Sequence, residues 1–113
     1  MKKDLVVFIG HIIESIELIE GYSEKLTPET FKKDQGMQDA IIRRLQIIGE
    51  AVKNIPSGFR AKHPEIPWKQ MAGMRDILVH EYFDVDLPLT WAVVKRELPP
   101  IKEKLQKLLF QGQ

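Results

Sequence analysis

Apolar residues spaced three and four apart run through most of this chain, and no stretch of useful length alternates apolar with polar. Leu5, Ile9, Ile12, Ile16 and Ile19 form one such stripe, widened by Phe8, Ile13 and Leu18, while Glu14, Glu17 and Glu20 lie off it. Met37, Ile41, Leu45, Ile48, Val52 and Ile55 form a second. That spacing matches 3.6 residues per turn and gives each segment one apolar face to bury. The expected fold is all-α: an antiparallel bundle of four main helices plus short helical turns, with no internal repeat.

Prolines, glycines and capping residues divide the pattern. Thr27-Pro28-Glu29 restarts the chain after Gly21, with Thr27 as N-cap and a short turn through Phe31. Asp34 or Asp39 caps the second long helix, which stops before Pro56-Ser57-Gly58. Gly49 lies inside that helix, where it costs about 1 kcal/mol relative to alanine, so a close helix–helix approach is the expected compensation. The segment from Pro56 to Pro67 reads as a connector with at most one short turn, around Phe59 to Lys62. Pro67 opens a third helix through Trp68, Met71, Met74 or Arg75, Leu78 and Val79. Asp84 and Asp86 mark the next restart, Leu87 to Leu98 is helical, and Pro99-Pro100 should kink or break it. Ile101, Leu105, Leu108 and Leu109 resume the pattern, and the last three residues should fray.

At 113 residues, 43% hydrophobic and 29% charged, the chain has the composition of one globular domain spanning 1–113. A chain this short buries roughly two-thirds of its unfolded surface. That suffices for one core, so any active-site cleft must be shallow or shared between subunits. The absence of cysteine removes disulfides, thiolate zinc sites and cysteine nucleophiles together. No apolar run is long enough to cross a bilayer, and glutamates follow the short apolar start where a leader would be cleaved, so a cytoplasmic protein with no membrane partner is expected. The formal charge of +1 argues against coating nucleic acid by bulk electrostatics. It conceals an uneven distribution: 5 basic against 8 acidic residues in 1–39, 7 against 4 in 40–83, and 5 against 4 in 84–113.

Chemistry in this chain falls mainly to three histidines. His11 has Glu14 three residues on, half of a carboxylate-bridged metal pairing, but the second copy and the further glutamates are missing, so it reads as a helix-surface residue and no metal is assigned. His63 reads as a solvated loop histidine before Pro64. His80 stands in Met74-Arg75-Asp76-Ile77-Leu78-Val79-His80-Glu81-Tyr82-Phe83. From periodicity alone this segment is equally a helix end, with the aliphatic trio facing the core and Arg75 and Asp76 solvated.

Arg75, four residues, His80, one residue, then Tyr82 resembles the signature of the HEPN superfamily in its HepT-like toxin branch. The surroundings agree in order and spacing: Arg43-Arg44-Leu45, Ile48-Gly49-Glu50-Ala51-Val52-Lys53, Ile66-Pro67-Trp68, Gly73-Met74-Arg75 and Tyr82-Phe83. The ordered set runs from about Arg43 to Pro99 and is far more specific than the motif alone. The resemblance implies an all-α fold with a long antiparallel helix pair, a homodimer, and a metal-independent endoribonuclease with no cofactor. It also implies a toxin held in check by a minimal nucleotidyltransferase antitoxin, which adenylylates the motif tyrosine. Carried over by position, Arg75 and His80 match the catalytic pair, Asp76 the supporting polar residue and Tyr82 the modified tyrosine.

The chemistry is coherent on its own terms. RNA supplies its own nucleophile, the 2′-hydroxyl, so cleavage needs a base, an acid and positive charge on the phosphorane oxygens. Histidine serves as base or acid near neutral pH, and arginine is a fixed cation whose planar fork matches phosphate oxygens. On a continuous helix, however, residues five apart point roughly 140° from each other. Arg75 and His80 therefore converge only if the helix ends or unwinds between them, or if two protomers contribute to one site. Arg43 and Arg44 are either a solvated face or an RNA-steering pair, and Trp68 and Trp91 read as core or dimer-contact aromatics rather than base-stacking platforms. Two competitors to the nuclease are a non-catalytic module in which Arg75 and His80 hold a nucleotide phosphate for a nucleotidyltransferase, and a plain structural bundle.

Overall fold

The computed structural model describes residues 1–79 and 86–111, apart from the side chains of 76–79 and 111. Among the described residues the elements are α1 (Lys3–Ser23), α2 (Pro28–Lys33), α3 (Gln35–Lys53), α4 (Ser57–Lys62), α5 (Trp68–Val79), α6 (Leu87–Ala92), a π-helical turn (Val93–Glu97) and α7 (Leu98–Gln111), with no strand. The all-α expectation holds. No described helix is long and apolar enough to cross a membrane.

The caps follow the sequence. Thr27 and Thr30 form a reciprocal capping box at the start of α2, with Pro28 in the first turn where its missing N–H is not needed. Asp34 accepts from the Met37 N–H at 3.0 Å and starts α3, and Asp86 accepts from the Leu89 N–H at 2.9 Å and starts α6. Gln38, buried, donates to the Phe31 and Lys32 carbonyls and closes the corner between α2 and α3.

Helix α3 is the middle element, packed against both α1 and α5, while α7 packs on α1. One cluster of buried side chains joins them: Ile9, Ile12, Ile16 and Ile19 from α1, Ile41, Leu45, Ile48 and Val52 from α3, Met71 and Met74 from α5, and Leu98, Ile101 and Leu105 from α7. Each fully buried aliphatic side chain of this kind contributes about 1.5–3 kcal/mol of transfer free energy, which is why the two stripes set the fold. The antiparallel sense of the closing pair is visible in its polar ties. The Lys95 ammonium donates to the Ser23 carbonyl at 3.2 Å and the Lys102 ammonium to Glu20 Oε1 at 2.6 Å, so one chain advances as the other retreats.

Of the kink or break expected at Pro99-Pro100, the break does not occur: the prolines do not end the last helix, and a π-helical turn precedes them. The chain stays helical from Leu87 to Gln111, and the Leu98 N–H bonds the Val93 carbonyl five residues back. The wider turn falls where the proline rings would otherwise meet the carbonyls of Lys95 and Arg96, four residues back. His63 is also not simply a solvated loop residue. It caps α4, its ring lies 4.6 Å from that of Phe59, and its carbonyl accepts from the Trp68 indole N–H at 2.9 Å.

Candidate functional site

Arg75 is placed by the closest helix–helix approach in its neighbourhood. A β-carbon on Gly49 would lie 2.8 Å from Arg75 Cβ, 3.1 Å from its backbone nitrogen and 3.2 Å from the Ala72 carbonyl oxygen. Two of those atoms are backbone, so any larger residue at 49 would push α5 away from α3. The packing notch expected of Gly49 is therefore present, and Arg75 is the residue seated on it.

Glu50, one position on, reaches the same side chain: its Oε1 lies 2.7 Å from Arg75 Nε. Both partners are partly open to water, with side-chain exposures of 37% for Arg75 and 54% for Glu50. Farther along α3, Arg43, Gln46 and Ile47 recur at helical spacing with Glu50, and these four with Arg75 line an open cleft of ≈ 320 Å³. Among the described residues, two guanidinium groups against one carboxylate give this cleft a cationic lining. Beyond Nε, the Arg75 guanidinium carries two Nη groups, a fork suited to two phosphate oxygens.

The sequence-predicted residues divide accordingly. Arg43 and Arg75, far apart in sequence, share the cleft. Arg44, adjacent to Arg43, is half-buried and does not line it. His80, Tyr82 and the side chain of Asp76 lie outside the described residues. His11 is exposed on α1 as expected. Trp68 is buried beside Phe59, and Trp91 packs 5.3 Å from Phe31 with the Lys95 ammonium 5.1 Å from its ring, so both aromatics are occupied within the bundle. Sequence reasoning gave no individual role to Glu50 or Gln46. The signal that finds them is their three-and-four spacing from Arg43, on an edge of α3 distinct from its apolar stripe.

Comparison with known proteins adds what geometry alone does not. The family model described as "Ribonuclease HepT-like" matches residues 12–108. A protein of Thermococcus cleftensis named "Probable ribonuclease HepT" is 48% identical over 108 residues, covering 96% of this chain and 98% of that one. A protein of Methanocaldococcus jannaschii named "Gamma-glutamylcyclotransferase and putative RNase" is 52% identical over 109 residues; the match covers 96% of this chain and 49% of that protein, so the chain spans about half its length. No solved structure gives a significant match. The family match runs from the middle of α1 to near the end of α7 and takes in the whole Arg43–Arg75 cleft, and the chain belongs to the HepT-like ribonuclease family of the HEPN superfamily.

Proposed function

We propose that the protein is a metal-independent endoribonuclease, the toxin of a toxin–antitoxin pair, that cleaves RNA such as tRNA or mRNA at a composite site between two protomers. The observation that carries this reading is the cationic cleft in which Arg75 and Arg43 stand together, with His80 five residues after Arg75 in the sequence of a chain of this family. Arg75 binds the scissile phosphate through its Nη fork and offsets the charge that grows on the phosphorane oxygens. Arg43 guides the strand into the cleft, whereas Arg44, half-buried, does not line it. His80 takes the 2′-hydroxyl proton or protonates the leaving 5′-oxygen, with Asp76 in support.

Helix geometry favours two protomers over one. Helix α5 stays helical from Arg75 through Val79. Convergence within one chain would have to be achieved at the last step before His80, against the roughly 140° that separates positions five apart. A second copy supplies a histidine for each proton transfer and doubles the basic charge around one phosphate. Tyr82 is then the adenylylation site of a cognate minimal nucleotidyltransferase antitoxin, the added nucleotide bringing bulk and a negative phosphate to the position meant for RNA.

The test is direct. Purified protein is incubated with tRNA and mRNA in excess chelator beside Arg75→Ala and His80→Ala, and product ends are analysed. Cleavage by wild type alone, leaving 5′-hydroxyl ends, supports the reading. Equal inertness of all three folded proteins overturns it. Co-expression with the nucleotidyltransferase should add one nucleotide mass to wild type and none to Tyr82→Phe.

A further inference from the structure

Arg75 is held from α3 at two points. The Gly49 backbone fixes its Cα and Cβ, with a hypothetical methyl at 49 only 2.8 Å from Arg75 Cβ. Glu50 fixes the far end, its Oε1 2.7 Å from Nε. Consecutive residues on one helix thus grip both ends of a side chain that is otherwise free to rotate about several torsions. Such a chain loses up to about 2 kcal/mol of rotamer entropy when it is ordered.

We propose that Glu50 is a positioning residue: its carboxylate pairs with the Arg75 guanidinium at Nε and so presents the Nη fork to a phosphate in the cleft opposite Arg43. The inference rests on the ribonuclease reading above. Two effects of Glu50 oppose each other. Its negative charge repels an RNA phosphate, but at 54% exposure water and salt screen that repulsion. Orientation is not screened, and a misplacement of about 1 Å costs on the order of 100-fold in rate. Orientation therefore outweighs repulsion. Stability is a poor alternative role for Glu50, because an ion pair this exposed contributes little to folding.

Three variants test it: Glu50→Ala, Glu50→Gln and Glu50→Asp, each measured for kcat and KM on an RNA that wild type cuts, and for Tm. Glu50→Ala should lose on the order of 10- to 100-fold in kcat, with KM unchanged or lowered and Tm unmoved. Glu50→Gln, which keeps the side-chain length and an oxygen able to meet Nε, should recover most of the rate, and Glu50→Asp, one methylene short, should resemble Glu50→Ala. An undiminished kcat in Glu50→Ala overturns the proposal, as does a loss that follows a falling Tm or a Glu50→Gln as slow as Glu50→Ala. If wild type cuts no RNA, the ribonuclease reading fails by itself. The Arg75 Nε–H resonance, followed by NMR as a 2′-deoxy oligonucleotide is added, then decides the positioning claim: a shift on Glu50→Ala supports it, and an unmoved resonance overturns it.

Discussion

Helix α3 carries two stripes with the same three-and-four spacing and opposite chemistry. Ile41, Leu45, Ile48 and Val52 are at most 2% exposed and belong to the core. Arg43, Gln46, Ile47 and Glu50 run beside them as one wall of the cleft, with Gly49 setting the distance to α5. The first stripe is held by area removed from water, which tolerates changes that keep volume and polarity. The second is held by a backbone contact and a single ion pair, so it contributes little to stability and much to where one guanidinium sits. Stability and activity should thus separate along a single helix, according to which stripe is altered.

That separation can be broken or sharpened in order of effect. Arg75→Ala should reduce RNA cleavage by roughly 100- to 1000-fold, as loss of a group that stabilises transition-state charge does, while shifting unfolding free energy by less than about 0.5 kcal/mol. Cleavage kinetics and urea unfolding on the same preparation check both halves. Ile48→Ala should do the reverse, costing about 2–5 kcal/mol in stability with kcat unchanged at a temperature where the variant stays folded. If Ile48→Ala proves stable but slow, the two stripes are not independent. Gly49→Ala should affect both properties, since its methyl meets backbone: about 1–3 kcal/mol of overpacking together with a fall in kcat as Arg75 is displaced.

The smallest effect concerns another carboxylate–cation pair, Lys102 with Glu20. A hydrogen bond to Glu20, joined by the charges of Glu20 and Glu17, raises the Lys102 pKa above its ordinary 10.5, against a smaller opposing effect of burial. A raised folded-state value means that the pair's contribution is complete below 10.5 and is lost as pH rises through the folded value. Lys102→Met should cost less than about 1 kcal/mol near neutral pH. The difference from wild type should shrink in strongly alkaline buffer, as urea unfolding on either side of that value would show.

The sequence made the elements legible wherever local chemistry decides them. Thr27 and Asp86 cap the helices they were expected to cap, and Asp34 rather than Asp39 caps α3, because caps answer to neighbours within a turn; the cost of Gly49 correctly announced a close approach. The partner of Gly49 was not legible, since Arg75 comes from another helix and nothing local to either residue records the other. The Arg75–Glu50 pair escaped for the same reason. At Pro99-Pro100 the sequence left kink and break as alternatives, because a proline pair signals strain without saying how it is relieved, and a one-residue slip of the hydrogen-bond ladder leaves no mark in residue spacing. Arg43 and Arg44 show the limit most simply: adjacent and identical, they are told apart only by the helix that lies beside one of them.

The ties between α1 and the last helical segment bear on the order in which the chain can mature. No basic side chain stands in the final turn of α1, and the cation at its C-terminal carbonyls is Lys95, 72 residues downstream, with Lys102 meeting Glu20 across 82. During synthesis α1 is made well before these partners, so its negative end stays unanswered and its apolar stripe uncovered on the α7 side until they follow. The bundle is thus closed by contacts between α1 and the last helical segment, so α1 is finished only once a stretch more than 70 residues downstream has been made.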